Sequence, residues 1–257
     1  MRPSATLHAQ LLDCLTTLYG DGAGACLARV LALADQHRDA VRAGRDRLWD
    51  ARDVVLIAYG DQLQHGAQTP LATLRQFLRQ QGLAELIRIL HILPFFPSSS
   101  VDGFAVSDYE QVDPAIGSWH DVRELAGCVD LMFDLVLNHC STQHRWFQQY
   151  LAGRAPYTGY FIESDAAADL SRVTRPRSTP LLTPFRTAAG VRHVWTTFSA
   201  DQVDLNWANP DVLLEMLHVL FSYVAHGARI IRLDAIAYLW KQIDTPCIHL
   251  RQTHAVV

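Results

Sequence analysis

Arg232 and Asp234 stand two residues apart in the run ARIIRLDAI, residues 228–236. On an extended strand, positions i and i+2 share a face, so the guanidinium and the carboxylate point the same way. A neighbouring cation keeps a carboxylate ionised and orients it, which a carboxylate nucleophile needs at neutral pH. The same pattern also serves as a plain structural ion pair. Two other polar positions follow apolar runs: Asn138-His139 closes LMFDLVLN, and Asp102 lies in SSSVDGFAVSDY, just beyond LIRILHIL. Each feature alone is ordinary. Together they point to one site, because parallel β/α folds collect their chemistry at the carboxyl ends of the strands.

The elements that must carry these residues alternate along the chain. Helical spacing is expected over residues 7–19 and 24–43. The run VVLIAY, residues 54–59, reads as a strand buried on both faces. Thr69-Pro70 opens a helix to about residue 81, with threonine as cap and proline at the first helical position. A second strand is expected over 86–93, and a helix capped by Ser118 with Asp121 three residues on. A third strand covers 131–138. Residues 139–205 read as long and irregular, a connection of a length that points to function. Asn209-Pro210 starts a helix closed by Gly227, and the fourth strand follows at 228–236. Strand–helix alternation implies parallel strands with right-handed crossovers. The expected class is α/β, with four βα units, an insertion after the third strand and an N-terminal helical extension. The corresponding boundaries are 1–50 for the extension, 51–138 for units one to three, 139–205 for the insertion and 206–257 for unit four.

Composition narrows the function. Apolar residues make up 49% of the 257 and charged residues 19%, which suits a globular protein. A net charge of −4 gives no electrostatic basis for binding nucleic acid or an anionic membrane. The start lacks the apolar core of a signal peptide, and no apolar run reaches membrane-spanning length. Five widely spaced cysteines without a C-x-x-C suit reduced thiols in a cytoplasmic protein.

At this point the text resembles a known family. DLVLNH (134–139) is similar to the first signature of the α-amylase clan, glycoside hydrolase family 13, and GARIIRLDA (227–235) to the second, which holds the nucleophile. HILPFFPSSSVDGFAVSDY, VTRPRSTPLLTPF, VWTTFSADQVDLNWANPDVL and LWKQIDTPCIHLRQTH resemble the sucrose phosphorylase subfamily. The two helices before the first strand look more like its glucosylglycerate phosphorylase branch. The resemblance implies a (β/α)8 TIM barrel of which strands one to four are present, with 139–205 as a B-domain insertion. It implies Asp234 as nucleophile and Arg232 as the residue that orients it. His139 and Asp102 would grip glucose hydroxyls, with Phe104 beside Asp102, and Asp134 would be buried and structural. The implied substrates are a small-molecule α-glucoside and inorganic phosphate as co-substrate, with no organic cofactor and no metal. The other readings are a family 13 hydrolase or transglycosylase and a non-catalytic sugar-binding remnant.

Departures from the family pattern matter as well. Ala237 and Tyr238 stand where amylases often place Lys-His, which argues against a calcium-dependent starch hydrolase. Asp244 stands where glycine is usual and Arg251 where proline is usual. The family's acid/base glutamate follows strand five and has no match here; Glu163 does not correspond to it. The chain alone is therefore expected to be inactive, and the open edges of a half barrel would favour an oligomer. The pairs His139/His144 and His249/His254 read as surface or hydrogen-bonding histidines rather than metal ligands. Gly20–Gly24 reads as a link between helices. Trp195 and Trp207 read as packing residues. Arg172, Arg175 and Arg177 suit either a phosphate contact or a solvated loop.

Overall fold

The computed structural model describes residues 4–40, 50–51, 53–100 and 102–257. In chain order, helix α1 spans Ala5–Tyr19 and α2 spans Ala23–Gln36, joined by a 3-10 turn at Gly20–Gly22. Strand β1 is Val55–Ala58, helix α3 Pro70–Gln80, the single turn α4 Leu83–Leu86, strand β2 Ile89–Ile92, helix α5 Trp119–Ala126 and strand β3 Asp130–Val136. Then come β4 (His139–Ser141), α6 (Arg145–Leu151), β5 (Leu182–Thr187), β6 (Gly190–Trp195) and β7 (Gln202–Asp204). Helix α7 (Pro210–Ala225), strand β8 (Ala228–Asp234) and the short helix α8 (Arg251–Val256) complete the order. Helix α2 ends at Gln36, short of the expected residue 43, and a 3-10 turn follows at Arg38–Ala40; residues 41–43 lie outside the described residues.

Local chemistry accounts for the boundaries. Ser4 caps α1 by accepting from Leu7 N, and Thr69 caps α3 by accepting from Ala72 N, with Pro70 in the first turn. Ser118 and Asp121 form a reciprocal capping box at α5. Gly227, between α7 and β8, has φ of 109°, a conformation that side chains with a Cβ rarely adopt.

Two compact units make up the chain. One holds His37–Val136 and Val219–Asp234. Its sheet has four parallel strands in the order β1-β2-β3-β8. This is the α/β arrangement expected of the first four strands of a β/α barrel, and the sheet does not close. β2 lies inside the order and is buried at all four positions. β1 corrects the expectation of a strand buried on both faces: Val55 and Ile57 are 40% and 58% exposed. It ends the strand order with a single neighbour, and among the described residues those positions stay open to solvent. On α3, Leu71, Leu74 and Leu78 form the buried face, at spacings of three and four. Aromatic packing fills the unit's core: Phe95 meets Phe133 edge-on at 4.9 Å, and Phe96 stacks on Tyr223 at 4.8 Å.

The second unit holds Met1–Gln36, Leu137–His218 and Ala235–Val257. Here residues 139–205 are more ordered than their sequence suggests. β4 pairs antiparallel with β7, and β5 with β6 in a hairpin. The hairpin went unread because Pro184 breaks its first strand and the alternation in GVRHVW is short. Trp195 and Trp207 are buried at 1% and 2% exposure, and Trp207 Nε1 donates to Leu137 O at 2.9 Å, so both are packing residues. Among the described residues no helix is long and apolar enough to cross a membrane, and the five cysteines are free thiols.

Candidate active site

The carboxyl ends of β3 and β8 build the first group. In the parallel register Asp134 lies opposite Arg232, and Val136 opposite Asp234. Asp134 is 1% exposed. One of its oxygens meets His91 Nε2 at 2.7 Å, and the other accepts from Arg232 Nη1. The same nitrogen lies 3.2 Å from Asp234 Oδ1. A buried carboxylate therefore anchors a guanidinium that in turn holds a second carboxylate at the strand end. His91 fixes the far side of the anchor; the sequence showed it only as an interruption of an apolar run.

The loop beyond β2 supplies Asp102 and Phe104. Ser98 Oγ donates to Ala105 O at 2.9 Å, and Ser100 Oγ donates to Asp102 Oδ1 at 2.6 Å, so the loop is tied across its own base. Gly103 has φ of 82°, and a Cβ there would stand 2.6 Å from Pro94 O. Only glycine fits between the two predicted contact residues. The Arg232 guanidinium lies over the Phe104 ring, 5.9 Å from its centroid, within cation–π range. Asp102, Phe104, Arg232 and Asp234 thus belong to one cluster.

Electrostatics inside the cluster run against the simplest expectation. Burial raises the Asp234 pKa above the ordinary carboxylate value; Arg232 opposes the rise, while the charges of Asp134 and Asp102 add to it. Arg232 orients the carboxylate, and desolvation outweighs its charge. Such a group is a stronger base than a solvated carboxylate and is still a carboxylate nucleophile once ionised.

His139 lies in the second unit. It is 1% exposed and pairs with Asp204 in the β4–β7 ladder. Its Nε2 lies 3.0 Å from Gln202 Nε2, and its ring lies 5.1 Å from that of Phe198. Asp204 accepts from Lys241 Nζ at 2.6 Å, with both side chains buried. Asp204 and Lys241 were not singled out from sequence, although an isolated lysine beside Leu239-Trp240 was a visible signal. Among the described residues no group of three or more His, Cys, Asp or Glu side chains is arranged to hold a metal ion. His144 instead caps α6, its Nδ1 accepting from Trp146 N at 3.1 Å, and His249 stacks on His254. Glu163 accepts from Tyr150 Oη at 2.8 Å and pairs with Arg192. Arg175 donates to Ser178 O at 3.3 Å and also to Thr179 O, within its own exposed loop. Asp244 has φ of 69°, the left-handed region that explains why glycine suits that position.

Comparison with known proteins follows the same lines. A model of the α-amylase catalytic domain matches residues 81–257. The glucosylglycerate phosphorylase of Spirochaeta thermophila is 55% identical over 208 residues, covering 81% of this chain and 35% of that protein. That of Allomeiothermus silvanus is 46% identical over 251 residues, 98% of this chain and 44% of the relative. In structure, a sucrose 6F-phosphate phosphorylase from Thermoanaerobacter thermosaccharolyticum superposes with a TM-score of 0.73 at 29% identity, over 84% of this chain and 46% of that one. The chain spans less than half the length of these relatives.

Proposed function

Since the chain belongs to the α-amylase catalytic-domain family, we propose that it is the N-terminal part of a retaining α-glucoside phosphorylase. One observation carries the reading: Asp234 lies at a strand end, 3.2 Å from a guanidinium that the buried Asp134 anchors. In this reading the Asp234 carboxylate attacks the anomeric carbon. The glycosidic bond breaks, and the leaving oxygen takes a proton from an acid outside these 257 residues. Inorganic phosphate then attacks the glucosyl ester and releases α-glucose 1-phosphate, with net retention from two inversions. Asp102 and Phe104 are the proposed glucosyl contacts beside the nucleophile, and His139 is a further one by its place in DLVLNH.

The substrates on this reading are a small-molecule α-glucoside and phosphate, with no organic cofactor and no metal. Among glucosides, glucosylglycerate is preferred over sucrose; the support is the 46–55% identity to glucosylglycerate phosphorylases. Free thiols support a cytoplasmic setting. Association through strand edges is supported by the apolar exposure of β1.

Residues 1–257 joined to the C-terminal portion of the Allomeiothermus silvanus relative test the reading. Incubated with each glucoside and phosphate, the chimera is expected to give glucose 1-phosphate, with the higher kcat/KM on glucosylglycerate. Release of free glucose alone would mark a hydrolase instead. The unextended chain is expected to give no glucose 1-phosphate, since an acid/base group typically contributes about 10²–10⁴-fold.

A further inference from the structure

Lys241 makes an uncommon set of contacts for a lysine. Its side chain is 4% exposed. The ammonium donates to Asp204 Oδ2 at 2.6 Å, to Asn138 Oδ1 at 2.7 Å and to the Tyr238 carbonyl at 2.6 Å. An ammonium carries three protons and no acceptor, so three oxygens saturate it. Burial without such partners would be prohibitive.

The consequence appears one residue along, at His139. Because Lys241 can only donate, Asn138 must turn its oxygen toward the ammonium. Asn138 Nδ2 is then directed at His139 Nδ1, 3.4 Å away. An N–H aimed at Nδ1 requires a lone pair there, and in a neutral imidazole the proton then sits on Nε2. Gln202 accommodates this choice. As placed, Gln202 Nε2 faces His139 Nε2 at 3.0 Å and its Oε1 accepts from Ser199 Oγ at 3.0 Å, but a neutral imidazole has one lone pair and cannot accept from both amides, so the Gln202 amide must turn. Turning its oxygen to the imidazole satisfies both neighbours, and the two ends of an amide are told apart only by such networks. The other Lys241 acceptors brace the same ring. Asp204 faces His139 across the ladder and is held by Thr197 N at 3.0 Å. Phe198 lies 5.1 Å from the imidazole and meets Tyr238 edge-on at 5.5 Å.

We propose that Lys241 is the positioning residue for His139: through Asn138 it fixes the imidazole as the Nε2–H tautomer, a donor that meets Gln202 and, with sugar bound, a sugar oxygen in its place. The purpose of this device rests on reading His139 as a glucosyl contact, but its test does not involve sugar.

The test is a long-range ¹H–¹⁵N spectrum of the ¹⁵N-labelled chain at slightly alkaline pH, with the His139 signal assigned as the one lost in His139→Gln. The Nε2–H pattern is expected. In Lys241→Met the two ring nitrogen shifts should move toward each other, as both tautomers become populated. That substitution also strands the buried Asp204 charge, so the paired variant Lys241→Met/Asp204→Asn is measured beside it and should show the same averaging. An Nδ1–H pattern in the unsubstituted chain overturns the proposal. So does an unchanged Nε2–H pattern in a folded paired variant.

Discussion

Arg232 Nη1 sits between two carboxylates, donating to the buried Asp134 and lying 3.2 Å from Asp234 Oδ1. A cation shared in this way aims Asp234 without cancelling the effect of its burial. Replacing Arg232 with alanine leaves the two carboxylates without their common partner and frees Asp234 to rotate. In the chimera, kcat should fall by about 10²–10³-fold, the range seen on removing one preorganised electrostatic partner. The acidic limb of the pH–activity profile should move to higher pH. Lysine should recover only part of the loss, because an ammonium is a point donor and not a planar fork. Activity within twofold for the alanine variant would show that the guanidinium is structural.

The pH dependence of the Asp234 contribution to stability has a definite sign. Its carboxyl titrates higher in the fold than in the unfolded chain, because burial penalises the anion. Its contribution to stability is then present below the unfolded pKa and lost as pH rises through the folded one. Asp234→Asn should therefore stabilise the chain at neutral pH relative to the unsubstituted protein, with the gap closing in acid. Matching denaturation midpoints at pH 7 would contradict this.

Gly103→Ala tests the loop that carries Asp102 and Phe104. With φ of 82° and Pro94 O 2.6 Å from the added Cβ, the backbone must shift. The expected cost is about 1–3 kcal/mol in urea denaturation, the usual scale for a non-glycine residue forced into such a region. In the chimera KM for the glucoside should rise. An unchanged KM would detach this loop from sugar binding.

His144 should govern part of the acid sensitivity. Burial lowers its pKa to about 3 from the usual 6.5, so the fold holds it neutral. Its contribution is complete above pH 6.5 and is lost as pH falls toward the folded value. At about 1.4 kcal/mol per pH unit, lowering the pH from 6.5 to 5 should cost roughly 2 kcal/mol from this group. His144→Asn keeps a side chain able to cap α6, and its stability should be flatter over that interval. Parallel pH curves for the two proteins would contradict the assignment.

Tyr223 is buried, and among the described residues its hydroxyl has no hydrogen-bond partner. Removing an unsatisfied buried hydroxyl relieves a desolvation penalty while the ring stays stacked on Phe96. Tyr223→Phe should gain about 1 kcal/mol in chemical denaturation. A loss of similar size would mean that the hydroxyl is satisfied in solution.

Much of this arrangement was legible in the sequence because it depends on local patterns. Arg232 and Asp234 share a strand face, Thr69-Pro70 and Ser118/Asp121 cap their helices, and the strand order follows from βα alternation. What escaped depends on long-range placement. His91 acquires meaning from Asp134, 43 residues later, and Lys241 from partners that include Asn138, 103 residues earlier. The raised Asp234 pKa depends on how much water the fold removes, a quantity that spacing does not encode. The exposure of Val55 and Ile57 likewise follows from β1 ending the sheet, since the apolar run VVLIAY is compatible with either an inner or an outer strand.

The assignment of Asp234 as the nucleophile is tested most directly by trapping the glucosyl-enzyme. A fluorinated α-glucosyl fluoride carries a leaving group that needs no protonation, and its second fluorine slows breakdown of the ester. After reaction with the chimera and proteolysis, mass spectrometry should place a single adduct on the peptide containing Asp234, and Asp234→Asn should carry none. A chimera that turns over glucoside while the adduct sits on another residue, with Asp234 unmodified, would contradict the account.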